Sequence, residues 1–300
     1  MKLTGLHILL TYQCNFECDH CFVWGSPWQS GTFTLGQLEN VLSQAKDVGT
    51  VSSIYFEGGE PFLYYPVLLK AVDEAVGMGF EVGMVSNGYW ATTKEDALVW
   101  LEPLAVKLVD LSVSSDLFHY DETQSRQASN ASLAAEELGI PIGTISIAHP
   151  ETEDVDPAIG QLPTEESGVM YRGRAADVLV KHAVKTPWTE FTECPYEDLV
   201  EPGRVHLDPL GNLHICQGIS IGNLFEKPLN EICAEYDPGS HPVVGPLLSG
   251  GPAELVRQYG LPFEENFADA CHLCYTARLA LRERIPSLLV PDQVYGGFAA

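Results

Sequence analysis

The residues best suited to chemistry in this sequence are its eight cysteines, and their spacing is uneven. Cys14, Cys18 and Cys21 form a C-x3-C-x2-C cluster, and Cys271 and Cys274 a C-x2-C pair. Cys194, Cys216 and Cys233 are scattered, and no cysteine lies between Cys21 and Cys194. Cysteines used as apolar filler would be spread more evenly. Thiolates as close as the first three converge on one metal centre. Zinc sites pair a C-x2-C with a second ligand pair, and none lies near residues 14–21. Cubane iron–sulfur clusters usually take four cysteines. Three ligands from one short loop leave one iron open, as a catalytic centre requires by the logic that separates catalytic from structural zinc.

The chain around these cysteines has ordinary globular composition, with 45% hydrophobic and 19% charged residues over 300 positions. That length allows one large domain or two smaller ones, and a core that needs no disulfide staples. Lys plus Arg number 16 against 41 Asp plus Glu, a net charge of −25. Such a balance repels phosphate backbones and anionic lipid, which disfavours nucleic-acid and membrane-surface roles. It fits a halophilic or simply a very soluble protein equally well. No apolar run approaches the ~18 residues of a membrane span, and Met1 to Thr11 lacks the h-region and cleavage site of a signal peptide. The expectation is a cytoplasmic protein, whose cysteines serve as ligands or catalysts rather than disulfides.

The elements that must position these residues alternate strand with helix. Strands are expected at His7 to Thr11, Ser53 to Glu57, Glu81 to Ser86, Leu108 to Val113 and Ile142 to Ala148. Helices are expected from Thr34 (as N-cap) to Val48, Tyr65 to Val76, Lys94 to Leu101 and Glu122 to Leu138. Five βα repeats predict an α/β fold, a parallel sheet closed into a complete or partial (β/α) barrel. The cysteine cluster, Gly58-Gly59-Glu60-Pro61 and Ser86-Asn87-Gly88 all fall at strand C-terminal ends, where such barrels carry their functional residues. After Pro150 the pattern breaks. Residues 151–166 hold six acids and read as a solvated loop rather than a substrate lid. Val169 to Tyr171 is expected as a sixth strand. Val205 to Leu207, a turn at Asp208 to Asn212, and Leu213 to Cys216 read as a β-hairpin. Short helices follow at Pro228 to Tyr236 and Tyr275 to Arg284.

The cysteine cluster, joined to Gly58-Gly59-Glu60-Pro61 at the end of the second strand, resembles the radical S-adenosylmethionine (SAM) superfamily. The resemblance covers the first half of the chain and implies a partial (β/α)6 barrel over about residues 1–185. It implies that Cys14, Cys18 and Cys21 hold a [4Fe-4S] cluster whose fourth iron chelates SAM. An electron from the cluster then yields a 5′-deoxyadenosyl radical that abstracts hydrogen from substrate. In the same reading Gly58 and Gly59 admit a close backbone approach to the ligand, Glu60 and Pro61 lie at the amine of SAM, and Ser86 and Asn87 contact SAM. Ser112, Ser114 and Asp116 are candidates for the ribose hydroxyls, and equally for turn and cap chemistry. His20 stands before the third cysteine, where the family often has a large apolar or aromatic residue near the adenine. Tyr12, Phe16, Phe22, Trp24 and Trp28 would shield the cluster or simply form core. His119 and Tyr120 face the substrate in this reading. Arg172 and Arg174 bind a carboxylate or pair with the acidic loop.

The second cysteine group resembles the auxiliary-cluster domain called SPASM or, in its shorter form, Twitch. The resemblance implies a small α+β domain over about residues 190–285, with a tail at 286–300. Cys194, Cys216, Cys271 and Cys274 would hold one auxiliary [4Fe-4S] cluster, or a structural zinc on the same four. No cysteine follows Cys274, so a second auxiliary cluster is not expected. Cys233 reads as buried filler, with a hydrogen-atom donor or a replacement for Cys194 as the sharper alternatives. The implied substrate is a peptide or a small molecule. Because the chain begins almost at the first strand, a fused leader-binding domain is not expected. The implied electron donor is a flavodoxin or ferredoxin, docking on Arg278, Arg282 and Arg284. The rivals are a non-catalytic iron–sulfur electron-transfer protein and a single-cluster radical SAM enzyme with zinc in its C-terminal part. A cobalamin-dependent methylase is disfavoured, since no cobalamin-binding domain precedes His7.

Overall fold

In the computed structural model, residues 1–121, 125–150, 166–261 and 264–298 are described. The acidic stretch 151–165 and the expected start of the fourth helix at 122–124 lie outside them. The first half of the chain is a run of βα units: β1 (Gly5–Thr11), α1 (Leu35–Val48), β2 (Ser53–Gly58), α2 (Tyr65–Gly77), β3 (Glu81–Ser86), α3 (Lys94–Leu101), β4 (Leu108–Ser114), α4 (Arg126–Leu138) and β5 (Ile142–Ile147). Thr34 caps α1 as expected, in a full capping box with Gln37, and Gly49 ends it in the left-handed conformation. The sixth strand, β6 (Glu166–Ser167), pairs in parallel with β5 and lies just before the expected Val169 to Tyr171.

The remaining elements are α5 (Ala175–Val178), β7 (Thr186–Pro187), β8 (Arg204–Leu207), β9 (Asn212–Cys216), β10 (Ile219–Asn223), α6 (Leu229–Glu235), α7 (Val244–Tyr259), β11 (Asn266–Phe267) and α8 (Ala270–Leu281). The large sheet runs in the order β10-β9-β8-β1-β2-β3-β4-β5-β6. The expected hairpin therefore does not stand apart. Its first strand, β8, pairs in parallel with the free edge of β1 and prolongs the barrel sheet. Asp208 locks the hairpin turn, accepting from the Leu210 and Asn212 N–H groups (both 2.9 Å) and from the buried Tyr12 hydroxyl (3.0 Å) just ahead of the cysteine loop. Helix α7 has no counterpart in the sequence reading, and Gly250, Gly251 and Pro252 interrupt its helical pattern. The chain does kink there, with Gly251 at φ 65°, and resumes as helix.

Strand alternation divides the side chains into two sets. Leu6, Ile8, Ile54, Phe56, Val82, Met84, Leu111, Val113, Val205 and Leu207 belong to the core beneath α1–α4. His7, Glu57, Val85, Ser114, Ile145, Ile147, Arg204 and His206 turn inward and line a cavity of about 290 Å3. Bulky branched residues fill the interior of a closed barrel. Here polar and small residues leave a partial barrel open.

Candidate functional site

The cavity reaches from the inner strand faces to the cysteine loop, and Cys14, Cys18 and Cys21 all line it. Donors are aimed at their sulfurs. The Phe16 N–H reaches Cys14 Sγ at 3.4 Å, Asn87 Nδ2 reaches it at 3.6 Å, and the Gly25 N–H reaches Cys21 Sγ at 3.2 Å. Burial pushes the Cys14 thiol up to about 12, and Cys18 is raised by the same cause. Buried thiols this basic ionise when a cation takes the thiolate, as a metal centre does. The trio therefore fits an iron–sulfur cluster: Cys14 and Cys18 are buried, Cys14 and Cys21 are met by N–H donors, and all three line the cavity.

Arg174 holds this loop in place. It is buried and donates from Nη1 to the Cys18 carbonyl (2.7 Å) and from Nη2 to the Gly25 carbonyl (2.8 Å), with its guanidinium over the Trp24 ring. That replaces the expectation of a carboxylate-binding Arg174. Gly173, at φ 59°, packs on the same loop, since a Cβ there would stand 2.5 Å from the Cys21 carbonyl.

The Gly-Gly-Glu-Pro run serves this packing too. A Cβ on Gly59 would lie 2.1 Å from the Gln13 carbonyl, and one on Gly58 2.5 Å from that of Thr11. The glycines thus let the end of β2 lie against the chain entering the cysteine loop. This backbone-to-backbone approach, rather than backbone to ligand, is what excludes a Cβ. Glu60 is fully buried and outside the cavity wall. Its carboxylate accepts from the Ser86 hydroxyl (2.9 Å) and from the N–H groups of Asn87 (2.7 Å) and Phe62 (3.0 Å), tying the end of β2 to the end of β3. Burial raises it to about 7. A carboxylate so engaged does not reach a ligand amine. Pro61 is buried at the start of a single 3-10 turn.

The structure sorts the other expected SAM contacts. Ser86, Asn87, Ser114 and His20 line the cavity. Burial keeps the His20 imidazole neutral by lowering it to about 3, and its ring packs on Phe118 at 4.6 Å. It presents the flat uncharged surface expected of a larger aromatic. Ser112 instead donates to Asp110 Oδ2 (3.1 Å). Asp116 is buried and fully engaged. It accepts from the backbone N–H groups of Phe118, His119 and Ile147 and lies 2.8 Å from His119 Nδ1. The cap reading applies to Asp116 rather than a ribose contact. Phe16, Phe22 and His119 line the cavity, whereas Trp28 is 73% exposed and shields nothing. The Tyr120 hydroxyl donates to the Asn87 carbonyl (2.6 Å).

Cys194, Cys216, Cys271 and Cys274 come together from three separate segments and line one small pocket. The kink in α7 seats the first of them, because a Cβ on Gly251 would lie 2.2 Å from the Glu193 nitrogen. Arg172 and Arg278 flank the pocket. Arg172 Nη1 lies 3.7 Å from Cys216 Sγ and 3.4 Å from Glu197, and the same side chain lines the barrel cavity. Arg278 is 2% exposed and donates to the Gln217 carbonyl (2.6 Å). It cannot belong to a docking patch. Arg282 pairs with Asp292, and Arg284 is exposed and donates to the Tyr259 carbonyl. Cys233 lies in the core between helices and sheet, away from both cysteine groups.

Sequence reasoning passed over His7, Glu57 and His206, which meet inside the cavity. Each sits at an inward position of its strand, and the period-two rule applied to HILLT, SIYFEG and RVHL is the signal that finds them.

A profile of the radical SAM superfamily matches residues 8–154. The chain belongs to the radical SAM superfamily. Members of that superfamily use a [4Fe-4S] cluster and SAM and require an electron donor. A peptide biosynthesis protein of Bacillus subtilis is 25% identical over 124 residues, covering 41% of this chain and 39% of that one. An S-adenosylmethionine-dependent nucleotide dehydratase of a Thermoplasmatales archaeon is 32% identical over 114 residues, 38% of this chain and 39% of that one. The chain thus matches about two-fifths of the length of these curated relatives. Among solved structures, native anSMEcpe with bound AdoMet aligns over 95% of this chain and 98% of that one, at 11% identity and a TM-score of 0.49. Among the described residues no helix is long and apolar enough to cross a membrane.

Proposed function

We propose that this radical SAM enzyme carries an auxiliary [4Fe-4S] cluster on Cys194, Cys216, Cys271 and Cys274 and oxidises or crosslinks a substrate held in the barrel cavity. The observation that carries the reading is the convergence of these four cysteines on one small pocket, with Arg172 on the wall of both that pocket and the cavity. A buried guanidinium, Arg278, and a half-buried one, Arg172, beside the pocket suit the negative charge of a cluster with four thiolate ligands.

When bound, the first cluster and SAM supply a carbon-centred radical that takes hydrogen from the substrate. The chain's part is to aim and exclude. Cys14, Cys18 and Cys21 would hold the cluster at the cavity mouth, and Arg174 clamps the loop that presents them. Phe16, His20 and Phe22 wall off water, while Ser86, Asn87 and Ser114 offer polar contacts to SAM. The Bacillus subtilis relative, named for peptide biosynthesis, favours a peptide substrate, with a small polar molecule as the alternative.

The test is anaerobic iron content and EPR on a Cys14→Ala/Cys18→Ala/Cys21→Ala variant. About four irons per chain with a reducible [4Fe-4S] signal are expected to remain. Loss of all iron, or its replacement by zinc, would refute the auxiliary cluster and leave a single-cluster enzyme.

A further inference from the structure

Two clusters of metal-ligating side chains occur among the described residues, and they differ in what else engages their carboxylate. In the cluster of His20, Asp116 and His119, three backbone N–H groups already occupy Asp116. The cluster of His7, Glu57 and His206 lies on three adjacent parallel strands, with His7 in register with His206 across the β1–β8 pair. Its ligand atoms all fall within 4.8 Å of one another. Glu57 Oε1 is buried and has no hydrogen-bond partner. His206 Nε2 stands 3.2 Å from it, and His7 Nδ1 stands 3.3 Å from Oε2.

Those separations are long for N–H···O bonds, which centre near ~2.9–3.0 Å. Each is close to the ~3.3–3.4 Å that zinc bonds of ~2.0–2.1 Å set between neighbouring ligand atoms, with one imidazole nitrogen facing each carboxylate oxygen. The surroundings are built to hold the rings. His7 stacks on Tyr55 with centroids 4.8 Å apart, and Tyr55 has room only because position 83 is glycine, where a Cβ would fall 2.3 Å from its ring.

We propose that His7, Glu57 and His206 form a divalent-metal site, for zinc in the first place, inside the barrel and deeper than the cysteine loop. Two imidazoles and one carboxylate are the protein ligands of several catalytic zinc sites and leave a position for water or substrate. All three residues line the cavity, so the open position faces whatever the cavity holds. The ligand class it would take is a hydroxyl, carboxylate or amide oxygen of the substrate. This site is independent of how the auxiliary cysteines are loaded.

The experiment uses enzyme with its iron–sulfur clusters reconstituted, dialysed against buffered zinc, with zinc and iron counted together. The wild type is expected to hold one zinc per chain more than His206→Ala and Glu57→Gln, at unchanged iron content and unchanged circular dichroism. Cobalt(II) in place of zinc should give visible d–d bands without thiolate charge transfer. The proposal is overturned if the wild type retains no more zinc than His206→Ala. It is equally overturned if all the zinc of the wild type survives in His206→Ala and its cobalt form shows thiolate charge transfer, which places the whole of it on cysteines.

Discussion

Replacing Gly59 by alanine tests whether the glycine run exists to seat the cysteine loop. The added Cβ would stand 2.1 Å from the Gln13 carbonyl oxygen and 2.7 Å from that of Tyr12, both backbone atoms with no rotamer to escape through. That is roughly 1.3 Å short of ordinary contact. Moving the segments apart by this much breaks the Gly59 N–H to Thr11 carbonyl bond (2.7 Å) and the Glu60 N–H to Gln13 carbonyl bond (2.9 Å). Two hydrogen bonds at ~0.5–1.5 kcal/mol each, with overpacking at ~1–3 kcal/mol, give a loss of roughly 2–6 kcal/mol. Cys14 is the next residue after Gln13, so the displacement passes straight to a cluster ligand. Urea unfolding, with iron content measured on the same samples, is the assay. Gly25→Ala is the comparison, since its Cβ would meet Cys14 Cβ at 3.3 Å, Gly59 Cα at 3.4 Å and Cys21 Sγ at 3.5 Å. It should cost under ~1.5 kcal/mol. If Gly59→Ala unfolds within about 1 kcal/mol of wild type and loads the same iron, the packing account of this motif is wrong.

Arg174→Ala should cost ~2–4 kcal/mol and loosen cluster retention, because it strands the Cys18 and Gly25 carbonyls. Arg174→Lys should not rescue it, since one ammonium cannot reproduce the planar fork, and thermal melts of both variants would show this. Glu60 supplies a pH prediction. Burial raises it from 4.5 to about 7, so its contribution to stability is complete below pH 4.5, falls as the pH climbs to about 7, and is flat above. At ~1.4 kcal/mol per unit the fall is about 3 kcal/mol, and it should vanish in Glu60→Gln when unfolding of the two proteins is compared at pH 5 and pH 8. Cys233→Ala should cost ~1–2 kcal/mol as a core truncation and leave iron content untouched. Cys194→Ala should instead lower the iron that survives in the Cys14/Cys18/Cys21 triple variant.

Local signals in the sequence specified much of this protein. The C-x3-C-x2-C loop, the strand–helix alternation, the Thr34 cap and the hairpin turn at Asp208 to Asn212 are each written within a few residues, where periodicity, capping and turn chemistry act. The four later cysteines were grouped by their resemblance to an auxiliary-cluster domain, with Cys233 left as an alternative to Cys194. What the sequence left open depends on contacts between distant segments. Tertiary packing put Cys194 with the pair on α8 and Cys233 in the outer core, joined β8 to the free edge of β1, and occupied Glu60, Asp116, Arg174 and Arg278 with internal partners. It also brought His7, Glu57 and His206 together from positions 50 to 199 residues apart. Side-chain direction alternates along a strand, but which strands lie adjacent, and whether a polar residue has found a buried partner, is settled only when the sheet closes.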